Sequence, residues 1–163
     1  MDAESVTRLR VAVARVARLL NPTSTEEGLT PSQASVLGVV AARGPIGLTE
    51  LTELEGLNPT MLSRIVAKLD ELDYINRLQD PEDLRAAQVV ATPAGAAVHE
   101  RIRTHRTDVV SQSLDHLPQA TLDSLARAVP ALEALVEQLR VDTSTAPSPK
   151  GIRGTPRTKA RDR

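Results

Sequence analysis

The stretch from Asn58 to Lys68, Asn-Pro-Thr-Met-Leu-Ser-Arg-Ile-Val-Ala-Lys, gathers hydroxyls, an amide and two cations at spacings that place them on one side of a helix. At about 100° per residue, Leu62, Ile65, Val66, Leu69 and Leu72 share one face. Thr60, Arg64 and Ala67 take the opposite face, and Ser63 and Lys68 flank it. Hydroxyls donate to phosphates or base edges, a methyl group suits the methyl of thymine, and a guanidinium has the fork geometry for guanine. The outward face is therefore suited to a DNA major groove. Asn58 is the expected N-cap and Pro59 the first helical residue. Free amides at that end, on the positive pole of the helix dipole, would meet a phosphate. Asp70, Glu71 and Asp73 are held back to the far end, which would point away from DNA. Alone, such a face is what any solvated amphipathic helix shows, so its meaning depends on its neighbours.

Those neighbours form a pattern. Before it, Thr49 to Glu55 reads as a short helix and Gly56-Leu57-Asn58-Pro59 as a tight turn. After it, Tyr74 to Gln79 and Gln88 to Ala91 read as two strands around the turn residues Asp80-Pro81-Glu82-Asp83. Helix, turn, helix and hairpin in this order make a winged helix-turn-helix. Arg77, Asp83 and Arg85 lie on or beside the wing. Arg85 is placed to enter a narrow minor groove, and Asp83 is expected to hold Arg85 or Arg77 in position. The candidate DNA-binding set is thus Asn58, Pro59, Thr60, Ser63, Arg64, Lys68, Arg77, Asp83 and Arg85. The partner it implies is double-stranded DNA.

Catalytic chemistry has little to use. The chain has no cysteine, which excludes disulfides, thiolate zinc sites, a cysteine nucleophile and cysteine redox sensing. It has no glycine-rich phosphate loop and no histidine–carboxylate spacing of the metalloprotease type. His105 and His116 share a helix face about 16 Å apart, too far to hold one ion. No enzyme activity, metal or cofactor is expected. His105 and Gln112 interrupt the stripe Val98, Ile102, Val109. They either line a cavity for a small-molecule effector or are satisfied polar groups at a helix interface.

The remaining elements must hold this reading head. Phe and Trp are absent and Tyr74 is the only ring, so the core must be built from Leu, Val, Ile and Ala. A mainly α fold follows. Val6, Leu9, Val13, Val16 and Leu20 mark a first helix, Asn21-Pro22 ends it, and Thr23 to Leu29 reads as a polar loop. Thr30-Pro31-Ser32-Gln33 is a capping box opening a helix to Arg43. Thr92-Pro93 opens a long helix to about Leu117, and Pro118 a last one to about Arg140. Leu122, Leu125, Val129, Leu132, Val136 and Leu139 form a narrow stripe on it, with Pro130 expected to kink it. Together with Val6, Leu9, Val13 and Val16 this stripe is the candidate homodimer interface, the alternative being packing within one subunit. The regions are then 1–28, an N-terminal dimerisation helix and loop; 29–95, the winged region; 96–140, the long helix and C-terminal dimerisation helix; and 141–163, a disordered tail.

That tail carries six basic residues, Lys150, Arg153, Arg157, Lys159, Arg161 and Arg163, against Asp142 and Asp162. With a net charge of −1 overall, the 140 residues before it carry −5. No membrane-spanning run or leader is apparent, and a cytoplasmic protein is expected.

The run Glu55 to Val66, with Leu69 and Leu72 after it, resembles the recognition helix and turn of the multiple-antibiotic-resistance regulator (MarR) family. Arg77, Asp83-Leu84-Arg85 and Ala91-Thr92-Pro93-Ala94-Gly95 resemble that family's wing and the start of its next helix. The likeness spans Leu29 to Gly95, and the flanking helices agree in number and order from Ser5 to Arg140. It implies a triangular homodimer with two winged domains, repression of nearby genes through a pseudo-palindromic operator, and often release by a small ligand. Three departures stand out: Leu84 where the family often has arginine, Asp73 where glycine commonly follows the recognition helix, and few rings to stack on a phenolic ligand. The competing reading is a winged-helix adaptor that binds protein and reads no DNA, which would have no need of cations at 64, 68 and 85.

Overall fold

Local capping signals set the helix boundaries in this computed structural model, which describes residues 1–79 and 87–145. Helix α1 (Ala3–Leu20) opens on Asp2, whose carboxylate accepts the Ser5 N–H at 2.7 Å. Helix α3 (Pro31–Arg43) opens on the expected capping box: Thr30 accepts from the Gln33 N–H, and Gln33 accepts from the Thr30 N–H. Helix α5 (Pro59–Glu71) opens on Asn58, and α6 (Pro93–Leu114) on Thr92. Each such cap satisfies a donor that the first helical turn leaves unpaired.

Between them lie α4 (Leu48–Glu55), which ends on a left-handed Gly56, and strands β2 (Ile75–Gln79) and β3 (Ala87–Ala91). β2 and β3 are antiparallel with Arg77 opposite Val89. A third strand, β1 (Ile46–Gly47), joins the outer side of β3 and gives the order β1-β3-β2. At two residues it is too short to show an alternation. Helix α7 runs from Gln119 to Thr145 and passes through Pro130 as one element.

Two boundaries differ from expectation. The 23–29 segment is not simply a loop: α2 (Pro22–Glu26) forms there, with Thr23 and Ser24 buried. And α7 continues about five residues beyond Arg140, into the segment expected to be disordered. Val141 to Thr145 contain no helix breaker, and each added residue closes another hydrogen bond. The first proline of that region is Pro147, beyond these residues. The tail's six cations, and Asp83 and Arg85 of the wing, lie outside the described residues.

Helix α2 exists because α6 holds it. The Arg106 guanidinium donates to Ser24 Oγ at 2.6 Å and to Thr23 Oγ1 at 3.2 Å. Arg101 grips Glu27 with two hydrogen bonds of 2.9 and 2.7 Å, and His105 Nδ1 lies 3.1 Å from Glu26. These contacts bridge 74 to 83 residues of sequence. They tie the segment that follows α1 to the helix that leads towards α7.

The core is wholly aliphatic. Leu29, Val36, Leu37, Val40, Ile46, Leu51, Leu62, Val66, Leu69, Ile75 and Val89 are nearly inaccessible, and Val98 and Ile102 of α6 close it. Each such burial is worth roughly 1.5–3 kcal/mol. Among the described residues, none of α1 or α7 enters this core. Among the described residues no helix is long and apolar enough to cross a membrane.

At the α3–α6 contact Gly38 leaves room for the His99 ring, which would lie 3.1 Å from a Cβ at that position. Burial holds the His99 pKa below its ordinary 6.5; Glu100 opposes this and Arg103 and Arg106 add to it. A histidine kept neutral by the fold contributes stability above its unfolded pKa, and that contribution is lost as pH falls through the lowered value. Thermal unfolding should therefore show a lower Tm at pH 5.5 than at 7.5. His99→Gln should remove part of that difference; an identical pH profile for the variant would assign the loss to other groups.

Candidate nucleic-acid interface

The candidate surface is built on α5. Leu62, Ile65, Val66 and Leu69 are buried against α3, α4 and the sheet, and Leu72 packs at the margin. That anchoring turns Asn58, Pro59, Thr60, Ser63, Arg64, Ala67 and Lys68 outward, all of them exposed. The helix starts where the left-handed Gly56 (φ 60°) turns the chain out of α4, and the Asn58 side-chain oxygen Oδ1 accepts the Met61 N–H at 2.8 Å.

Its far end is fixed by a backbone joint. Asp73 adopts φ 58°, the left-handed turn that short polar side chains tolerate. The chain then doubles back, and the Tyr74 N–H donates to Leu69 O at 2.9 Å. Thr92 locks this corner: its hydroxyl donates to Asp73 O at 2.6 Å and its N–H to Tyr74 O at 3.0 Å. The same hydroxyl accepts the Gly95 N–H at 3.0 Å. The start of α6 is thereby seated against the end of α5 and the start of the wing.

The cations are unequal. Among the described residues Arg64 makes no ion pair. Lys68 Nζ sits 2.7 Å from Glu71, and this hydrogen bond holds the Glu71 carboxyl below its usual range. Arg77 lies 3.5 Å from Asp70. Asp83, expected from the sequence to hold Arg85 or Arg77, lies outside the described residues; within them Arg77 is met by a carboxylate of α5. Acidic groups at the helix end therefore do more than point away, since they partly neutralise two of the cations.

Two clefts border α5. One, of about 530 Å³, is lined by Gln33, Asn58, Thr60, Met61, Arg64 and Ile65. The other lies towards α4, with Thr49, Thr52, Pro59 and Ser63 in its walls. Gln33, Thr49, Thr52 and Met61 were not in the DNA-binding set expected from the sequence. Met61 was within reach, because it shares a helix flank with Lys68. Gln33 and Thr49 belong to other helices and come near α5 only on folding.

Of the candidate dimer residues, Val6, Val13 and Val16 of α1 and Leu125, Val129, Leu132, Val136 and Leu139 of α7 are exposed, and Leu9 and Leu122 are half-buried. The stripe on α7 is thus not consumed within one chain. His105 lines a shallow cleft with Glu100, Arg101, Thr104 and Asp108, and Gln112 is not in its wall. The Gln112 backbone carbonyl meets His116 Nδ1 at 2.7 Å.

Residues 29–87 match the model of the MarR family. Over 122 residues the chain is 30% identical to the multiple antibiotic resistance protein MarR of Salmonella typhimurium, covering 75% of this chain and 81% of that one. It is 27% identical over 137 residues to an uncharacterized HTH-type transcriptional regulator, Mb0904, of Mycobacterium bovis, covering 84% and 96%. In fold it is similar to wild-type apo MarR from E. coli, with a TM-score of 0.70 at 22% identity, covering 81% and 97%.

Proposed function

The chain belongs to the MarR family of transcriptional regulators, and from this we propose that it is a homodimeric repressor that reads a pseudo-palindromic site in double-stranded DNA. The observation that carries the reading is the exposed face of α5: Arg64, with no ion pair among the described residues, stands among hydroxyls on a helix whose other side is locked into an aliphatic core. In this reading α5 lies in the major groove and Arg64 forks onto a guanine. The amides at the start of α5 and the hydroxyls of Thr60 and Ser63 meet phosphates or base edges. Lys68 and Arg77 exchange Glu71 and Asp70 for phosphates, and Arg85, steadied by Asp83, reaches the minor groove. A twofold dimer joined through α1 and α7 would place half-site centres about one DNA turn, roughly 10 bp, apart. The protein would work in the cytoplasm. Relief by a small-molecule effector belongs to the same proposal, and only the family supports it, since His105 and Gln112 share no described cleft.

Arg64→Ala tests the reading. It should cost roughly 1–3 kcal/mol of specific binding and relax preference at one base pair per half-site, while circular dichroism stays unchanged. Selection from a random duplex pool, run on both proteins, gives the comparison. Identical preferences would remove Arg64 from the reading head. A wild-type protein that enriches no sequence and binds duplexes without salt dependence would favour the adaptor reading.

A further inference from the structure

Met61 is out of place on ordinary grounds. Apart from Leu78, it is the one large apolar side chain exposed in the described part of the winged region; the others are Met1 and residues on α1, at the end of α6 or just beyond it, and on α7. It is also the only internal sulfur, the other methionine being Met1. A lone exposed apolar side chain means little by itself. The surroundings of Met61 give it meaning.

Among the described residues, the rest of the cleft it lines is a ring of donors without recorded acceptors. Gln33 uses its side-chain oxygen on the Thr30 N–H at 2.8 Å, which leaves its NH₂ to donate. Asn58 likewise spends its oxygen on the Met61 N–H, and its NH₂ remains. Thr60 contributes a hydroxyl and Arg64 a guanidinium with no ion pair among the described residues. Ile65 closes the floor. An apolar, polarisable thioether beside N–H donors, with no carboxylate among the described residues of the wall, has a defined complement in the major groove. Thymine presents a methyl group next to the O4 acceptor, whereas cytosine presents an N4–H₂ donor and no methyl. A donor ring would accept the first and leave the second unpaired.

We propose that Met61 is a specificity-determining residue that reads the methyl group of a thymine, with the Gln33 and Asn58 amides beside it addressing O4. This rests on the DNA-reading function above and assigns a second reading position, distinct from that of Arg64. It also makes the α3 N-terminus part of the reading head, because Gln33 is fixed there by the capping box.

The test uses the full chain and the duplex it selects best from a random pool. Each thymine is replaced in turn by deoxyuridine, which removes only the methyl, and affinity is measured by fluorescence anisotropy. Wild type should lose about fourfold at one thymine per half-site, the transfer of one methyl group from water, and more when that base becomes cytosine. Met61→Ala should abolish the thymine–deoxyuridine difference at that position alone, keep the preference assigned to Arg64, and keep its circular dichroism spectrum. Met61→Leu should retain most of the difference. An alanine variant with the wild-type deoxyuridine profile overturns the role of Met61 while leaving the DNA-reading function intact. A wild type that selects no sequence overturns both.

Discussion

Gly95→Ala should destabilise the protein by at least about 3 kcal/mol, lowering Tm by roughly 6–12 °C for a chain of this size. A Cβ at Gly95 would fall on the Tyr74 carbonyl, far inside van der Waals contact. That carbonyl cannot retreat freely, because it accepts the Thr92 N–H and follows the left-handed Asp73 that closes α5. A flexible side chain could swing aside; a peptide group in a three-way joint must take β2 or α6 with it. Since the joint also sets where the end of α5 sits, DNA affinity should fall along with stability. Gly47→Ser is the matched control. Gly47 has open space where a Cβ would stand and occupies the N-cap of α4, a position serine favours. Its Tm should be unchanged or slightly higher. A Gly95→Ala protein melting within about 2 °C of wild type would show that α6 can slide off the Tyr74 peptide without cost.

Leu132→Asp should convert the protein to monomers and lower its affinity for a palindromic duplex by roughly 10²- to 10⁴-fold, the loss expected when two linked half-sites become independent. The carboxylate would have to be desolvated in the seam that we assign to the dimer. Among the described residues the core draws nothing from α7, so the winged region should remain folded and keep its cooperative melting. This separates loss of assembly from loss of fold. Ala134→Asp puts the same charge on the opposite face of α7 and should leave the dimer intact. Sedimentation velocity decides: an unaltered dimer for Leu132→Asp removes the seam, and a monomeric wild type removes the dimer altogether.

The ion pairs on α5 bear on affinity as well as geometry. Lys68 and Arg77 are half-exposed and held by Glu71 and Asp70, so each phosphate contact they make begins with an exchange of one anion for another. Exposed pairs of this kind are weak, and the exchange is correspondingly cheap. Arg64 has no such partner among the described residues, so its contact requires no exchange.

The sequence alone determined whatever depends on residues within about one helical turn of each other. The capping box of Thr30 and Gln33, the Asn58 and Thr92 caps and the buried spine of Leu62, Ile65, Val66 and Leu69 are all written at spacings of three and four. A helix forms its hydrogen bonds and its faces at those spacings, so a local pattern suffices. The outward set from Asn58 to Lys68 follows directly from that spine. Tertiary structure decided the rest. Helix α2 is polar and five residues long, and it stands because Arg101, His105 and Arg106 reach it from α6. Strand β1 is two residues whose hydrogen bonds are completed by β3, some forty positions away. The pairing of Arg77 with Asp70 is set by how α5 meets β2, and Gln33 joins the cleft at Met61 only because α3 and α5 share a core. Such contacts leave no periodic trace in sequence, because their free energy comes from groups brought together only when the chain has already folded.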